Sequence, residues 1–236
     1  MFARFAIINK STTVTAQQAL LMTSACNYQL ANHVAPAWAR ATVPVSYYAS
    51  DAAVPLNSAK IYIFDNADQA GTLGYHTETM SGQVYGKVFA KTIVNYGSQI
   101  IYDSRNRGAI TVSSVLSHEI IETFCNPYIS LWADGPSSAN GNSYAYEACD
   151  AVEANIYQVS VANGNTNSQV SVSNFVFPEY FDTASPVGIK LDYMKQLTRP
   201  FTMSPYGYMI IRNSSLTETA VYGANYPAGL AELKMN

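Results

Sequence analysis

The stretch His118-Glu119-Ile120-Ile121-Glu122 holds three chemistry-bearing side chains within five residues. On a helix, His118 and Glu122 stand one turn apart on the same side, with Glu119 beside them. Two ligands at that spacing can grip a single metal ion, as in the H-E-x-x-H helix, where the intervening Glu is the general base. Here a carboxylate, Glu122, replaces the second imidazole. A carboxylate also reaches a metal at about 2 Å, so the geometry survives the exchange. The donor set becomes harder, and Mn²⁺, Mg²⁺ and Ca²⁺ join Zn²⁺ as candidates.

A third ligand has to come from another part of the chain. The best source is Tyr146-Glu147-Ala148-Cys149-Asp150-Ala151-Val152-Glu153, where Glu147 and Asp150 could face one point from a turn or a helix start. The competing reading of this segment is a solvated acidic loop. His76 lies on a segment expected to border the cleft, with Tyr75 before it. Both are read as cleft or substrate contacts, and His76 as a structural or contacting histidine before a ligand.

The elements that must position these residues follow from periodicity and turn chemistry. A helix over about Ile110 to Phe124 carries the apolar stripe Val112, Leu116, Ile120 and Phe124, and Asn126-Pro127 stops it. His118, Glu119 and Glu122 form a narrow polar strip on a helix otherwise surrounded by apolar partners. Buried there, the acids would require compensation, which a divalent cation supplies efficiently. Upstream, Phe2 to Ile8 reads as a buried strand. Thr15 with Gln18 forms a capping box for a first helix that ends before Pro36. Val43 to Tyr48, Lys60 to Phe64 and Val84 to Val94 read as strands, the last broken near Gly86.

Beyond Pro127, Ala133 to Asn142 reads as a loop, residues 155–177 as a hairpin, and Tyr208 to Ile211 as a short apolar strand. The fold class expected is α+β. A mixed sheet with two main helices would occupy residues 1–127, and an irregular lobe over 128–236 would complete the site, the two sharing one core. His33 reads as a surface or capping residue, Trp38 and Trp132 as packing anchors, and Asp65 and Asp68 as turn residues that end a strand.

Charged residues make up 12% of the chain, about half the roughly 25% usual in globular domains. Net charge is −3 without a Lys/Arg cluster, which argues against nucleic-acid binding by phosphate neutralisation. Cys26, Cys125 and Cys149 are too few for a disulfide framework and read as buried thiols. Gly71-Thr72-Leu73-Gly74 lacks the lysine and helix of a phosphate loop, and no G-x-S-x-G elbow occurs. No membrane span and no classical signal peptide is evident, and a soluble protein is expected, with no signal for an oligomeric state.

Ser117-His118-Glu119-Ile120-Ile121-Glu122 followed by Asn126-Pro127 resembles an uncharacterised zincin-like family of bacteria and phages, with its S-H-E-[hydrophobic]₂-E pattern followed by D-P or N-P. Further blocks resemble the family: Ala35-Pro36-Ala37-Trp38, Leu73-Gly74-Tyr75-His76, Tyr85 to Phe89, Tyr146 to Glu153, Val172 to Pro178, and Pro200-Phe201 leading to Gly207-Tyr208-Met209. Cys125-Asn126 departs from the commoner acidic stop, and the Asp that often follows the histidine is Thr77 here.

The resemblance implies a zincin-like fold with metal ligands His118 and Glu122, Glu119 as candidate base and a later acid closing the site. Two functions are expected to compete. One is a metal-dependent hydrolase, zinc metallopeptidase-like, acting on a peptide or protein substrate. The other is a phage virion component of capsid, neck or tail, in which an inactive zincin-like fold contacts other virion proteins. The protein would be virion-associated in the second case and cytoplasmic otherwise.

Overall fold

Strand Arg4–Asn9 (β1) is an apolar run buried along most of its length, as expected of a strand covered on both faces. Asp65 accepts hydrogen bonds from Ser11, Thr12 and Thr13 and shapes the turn into helix Ala16–Gln29 (α1). The Thr15–Gln18 capping box forms as expected, each side chain accepting from the other residue's backbone N–H at 3.2 and 2.9 Å. The helix does not stop before Pro36. It passes through a π-turn at Leu30–Val34 into Ala35–Ala37 (α2). The i→i+5 bond from Ala35 N–H to the Leu30 carbonyl shifts the ladder just where proline has no donor to give.

The computed structural model describes residues 2–69, 72–136 and 140–226, so Gly71 and the middle of the Ala133–Asn142 loop lie outside it. Strands Val45–Tyr48 (β2), Ser58–Phe64 (β3), Gly74–Glu78 (β4) and Val84–Phe89 (β5) join β1 in a five-stranded sheet of order β2-β1-β3-β5-β4. All neighbours run parallel except β4, which is antiparallel to β5 and forms one edge. The expected strand to Val94 ends at Phe89, and Ala90–Asn95 is a short helix (α3). Lys91 and Thr92 turn their N–H groups onto the Asp65 carbonyl, which draws the chain out of the sheet. Gly86 does not break β5. It lets neighbouring strands close up, since a Cβ there would sit 2.9 Å from Ile61 Cδ1 and 3.0 Å from the Tyr75 carbonyl oxygen.

Helix Val112–Cys125 (α4) starts at Thr111, whose hydroxyl accepts from Ser114 N–H at 3.0 Å while Ser114 Oγ accepts from Thr111 N–H at 2.8 Å. All fourteen of its residues are buried. One side packs on β4 and β5, and the other on the hairpin Ile156–Asn163 (β8) and Thr166–Ser173 (β9). Small hydroxyls make the second contact. Ser113 Oγ donates to the Ser171 carbonyl at 2.7 Å, and Ser117 Oγ accepts from Ser173 N–H at 2.7 Å.

Between α4 and that hairpin lie Trp132–Asp134 (β6) and Ser143–Ala145 (β7), so the expected loop from Ala133 is flanked by paired strands. Tyr208–Arg212 (β10) and Glu218–Tyr222 (β11) join them in an antiparallel sheet of order β11-β10-β7-β6. The architecture is mixed α/β. A single buried cluster includes Phe5 and Ile61 of the first sheet, Leu116 and Ile120 of α4, and Phe175, Leu191 and Tyr208 further along. Trp38 is buried and donates from Nε1 to the Val176 carbonyl at 3.1 Å. His33 is half-buried, stacked on Tyr193 at 4.6 Å with Nδ1 2.9 Å from the Tyr157 hydroxyl. No helix of the described residues is long and apolar enough to cross a membrane.

Candidate metal centre

Seven ionisable side chains meet where α4, β4 and the segment 147–153 converge: His76, His118, Glu119, Glu122, Glu147, Asp150 and Glu153. None is more than 8% exposed. The segment 147–153 is therefore not a solvated loop. Asp150–Val152 is a turn of 3₁₀ helix, and Asp150 within it and Glu147 and Glu153 beside it are all buried. These side chains border a cleft of about 160 Å³, whose apolar wall includes Leu73, Val115, Ile129, Tyr208 and Ile210.

His118 Nε2 lies 3.0 Å from Glu122 Oε2 and 3.2 Å from Asp150 Oδ1. Around a tetrahedral ion with bonds of about 2.1 Å, donor atoms stand about 3.4 Å apart, close to both separations. Glu122 is fixed from behind by Cys149, whose N–H donates to Oε1 at 3.0 Å. Glu119 sits one step round the helix, and β4 crosses it closely. A Cβ on Gly74 would lie 2.6 Å from Glu119 Oε1 and 2.9 Å from Val115 Cγ1, so a side chain at position 74 would collide with the candidate base.

His76 belongs to the cluster more intimately than the sequence suggests. Its Nδ1 is 3.5 Å from Glu119 Oε2 and 4.0 Å from Glu122 Oε2. Tyr75, its neighbour on β4, borders the cleft, but its hydroxyl donates to Asp68 Oδ2 at 3.1 Å. Asn126, just past the end of α4, was not foreseen as a site residue. Its carbonyl accepts from His76 Nε2 at 3.1 Å, its Nδ2 donates to Glu147 Oε1 at 3.1 Å, and its Oδ1 accepts from the N–H groups of Ser130 and Leu131. An aspartate there would lose the donor and set a carboxylate against Glu147.

Donor atoms of two trios lie within 4.8 Å of one another: His118, Glu122 and Cys149, and His76, Glu122 and Glu147. The buried cluster can hold a metal ion.

No protein-family model, curated protein or solved structure matches the chain.

Electrostatics describe what the cluster does without an ion. Burial pushes Glu147 well above the ordinary carboxylate range, and the charges of Glu122 and Asp150 push it further. Burial also raises Glu122, with Asp150 adding to it against the pull of His118. Burial works to lower both histidines, but the acids prevail. Glu119 and then Glu122 raise His76, while Glu122 and Asp150 raise His118 well above 6.5. The metal-free cluster thus retains protons among its donors, as expected of a site where cations and protons compete. Burial, followed by the charge of Glu122, holds the Cys149 thiol well above its usual range, which disfavours the thiolate that metals bind.

Glu153 and Tyr208 were also not foreseen. Glu153 Oε2 accepts from the Tyr226 hydroxyl at 2.6 Å, and Tyr208 reaches the cleft from β10. Glu153 lay in an acid-rich segment that the sequence did flag. Tyr208 was read only as part of a short strand, because it reaches the cleft through pairing between distant strands.

Proposed function

We propose that this chain is a metal-dependent hydrolase of zincin-like design, acting on peptides, with Zn²⁺ as the favoured ion and Mn²⁺ as the nearest substitute. The observation that carries this reading is His118 Nε2 facing Glu122 and Asp150 at 3.0 and 3.2 Å, with Glu119 beside them on the same cleft. His118, Glu122 and Asp150 would hold the ion. Asp150 is preferred to Cys149 because its Oδ1 faces the His118 imidazole at 3.2 Å, whereas Cys149 Sγ points to the His118 carbonyl. A divalent ion there would polarise a carbonyl and acidify a bound water.

Each remaining part of the task falls to the chain's own groups. Glu119 accepts the proton of the attacking water and returns it to the leaving amine. Strand β4 is an edge of its sheet beside the cleft, so an extended peptide can pair with it through backbone hydrogen bonds. Leu73, Val115, Ile129 and Ile210 give that peptide an apolar wall and keep bulk water from the carboxylates.

One observation favours the alternative of an inactive, virion-type structural protein. The cleft, at about 160 Å³, is smaller than the roughly 300–1,000 Å³ of ordinary ligand pockets. A structural ion closed in by its ligands would suit such a space. The deciding experiment measures metal content and peptide hydrolysis for the wild type, His118→Ala and Glu119→Gln. The hydrolase reading expects near-stoichiometric metal that His118→Ala loses. It also expects hydrolysis that Glu119→Gln lowers by about 10²–10⁴ while keeping the metal. Bound metal without hydrolysis of any peptide in a mixed-sequence library would leave the structural reading standing, and absence of metal would defeat both forms of the site.

A further inference from the structure

We propose that the centre is dinuclear: a second divalent cation sits beside the first, held by His76 Nδ1 and Glu147 and joined to the first through the carboxylate of Glu122. This inference rests on the metal-site reading above, and its test separates the failure of one from the failure of the other.

The tautomer of His76 is the starting point. Its Nε2 lies 3.1 Å from the Asn126 carbonyl oxygen, which can only accept, so Nε2 carries a hydrogen. A metal-bound histidine has this arrangement, one nitrogen tied to a carbonyl and the other free to ligate. Nδ1 then faces Glu119 Oε2 at 3.5 Å and Glu122 Oε2 at 4.0 Å. In neutral His76 the lone pair on Nδ1 stands opposite the Glu122 oxygen, and a cation between those two atoms removes the repulsion there. Two donors on one ion with bonds of about 2.1 Å can stand up to about 4.2 Å apart, which accommodates the 4.0 Å between His76 Nδ1 and Glu122 Oε2.

Glu147 supplies an independent pointer. It is 8% exposed, its Oε1 is satisfied by Asn126, and its Oε2 is buried without a hydrogen-bond partner. That oxygen lies 3.9 Å from His76 Nε2, and His76, Glu122 and Glu147 each offer a ligand atom within 4.8 Å of the others. A buried carboxylate oxygen left unsatisfied beside a ligating imidazole is costly unless a cation engages it.

Glu122 Oε2 makes the bridge. It stands 3.0 Å from His118 Nε2 and 4.0 Å from His76 Nδ1, so one oxygen faces both imidazoles while Cys149 holds the other. An ion on each side of that oxygen would fall within the roughly 3.5–4 Å spacing of two-metal hydrolytic sites. With more carboxylate around it, the second position is the harder of the two and suits Mn²⁺ as well as Zn²⁺.

The test is to load the metal-free full-length chain with Mn²⁺, count bound ions by elemental analysis and record the electron paramagnetic resonance spectrum. The proposal expects two ions per chain and an exchange-coupled signal. Both His76→Ala and the near-isosteric Glu147→Gln should reduce this to one ion with the isolated six-line spectrum. Circular dichroism identifies any variant that fails to fold, and the other variant then decides. One ion in the wild type overturns the dinuclear centre and leaves the mononuclear site standing. No ion overturns both. Two ions that persist in a folded His76→Ala or Glu147→Gln place the second elsewhere and also overturn the proposal.

Discussion

His118, Glu122, Asp150 and Cys149 crowd one point, and the identity of the third protein ligand turns on which of the last two faces the imidazole. Cys149 is near enough to belong to a ligand trio, but its Sγ is directed at the His118 carbonyl, 3.9 Å away. Asp150 Oδ1 approaches His118 Nε2 at 3.2 Å from a rigid turn. Asp150→Asn should therefore weaken metal binding by about tenfold or more, within the 10–100-fold range seen even when outer-shell partners are lost. Cys149→Ser should leave affinity within about threefold, because the Cys149 backbone N–H that holds Glu122 remains. Competition with a chromophoric chelator measures both. The reverse ranking would make the centre a His/Glu/Cys site and would move the preference further toward zinc.

Helix α4 was legible because its apolar stripe at i, i+4 and its terminating Asn-Pro are local, although its N-cap, Thr111, was not singled out. The β8–β9 hairpin was legible for the same reason, with alternating residues on either side of a tight turn. Two things were not. Strand β4 lies at the sheet edge and against Glu119 because of pairing with β5, and no pattern within Gly74–Glu78 fixes that partner. His76 was accordingly placed at the cleft but not among the donors. Strand β10, which brings Tyr208 and Ile210 to the cleft, depends on pairing with β7, more than sixty residues earlier in the chain. Gly74 is where the contact between elements can be probed. A methyl group there meets Glu119 Oε1 at 2.6 Å and the Lys87 carbonyl at 3.1 Å, so β4 or Glu119 has to move. Gly74→Ala should lower hydrolysis by about tenfold or more, since small displacements of a catalytic group are costly. Metal content should be retained, because His118 and Glu122 are not touched. Loss of metal in a folded Gly74→Ala protein would show that β4 positions the ligands and not only the base.

At the scale of the whole molecule, the buried centre couples stability to pH and to metal in opposite senses. Four of its groups, Glu122, Glu147, His76 and His118, have pKa values raised in the folded protein. A group with a raised folded-state pKa contributes stability that is complete below its unfolded value and is lost as pH rises through the folded value. For the carboxylates that loss begins above 4.5, and for the histidines above 6.5. All four therefore act in one direction, and the metal-free protein should be most stable in mildly acidic solution and weaken toward alkaline pH. A bound cation replaces those protons and needs the carboxylates ionised and the histidines neutral, so its affinity rises with pH. At a hundredfold excess over Kd the ion adds about 2.7 kcal/mol by mass action. Thermal unfolding with chelator and with Zn²⁺, at pH 5.5 and at pH 8, should show the larger gain in Tm at pH 8. It should also show a Tm that falls between those pH values only in the chelated protein. An equal gain at both pH values would mean that the ion binds away from this cluster, because only a site that exchanges protons for metal links the two.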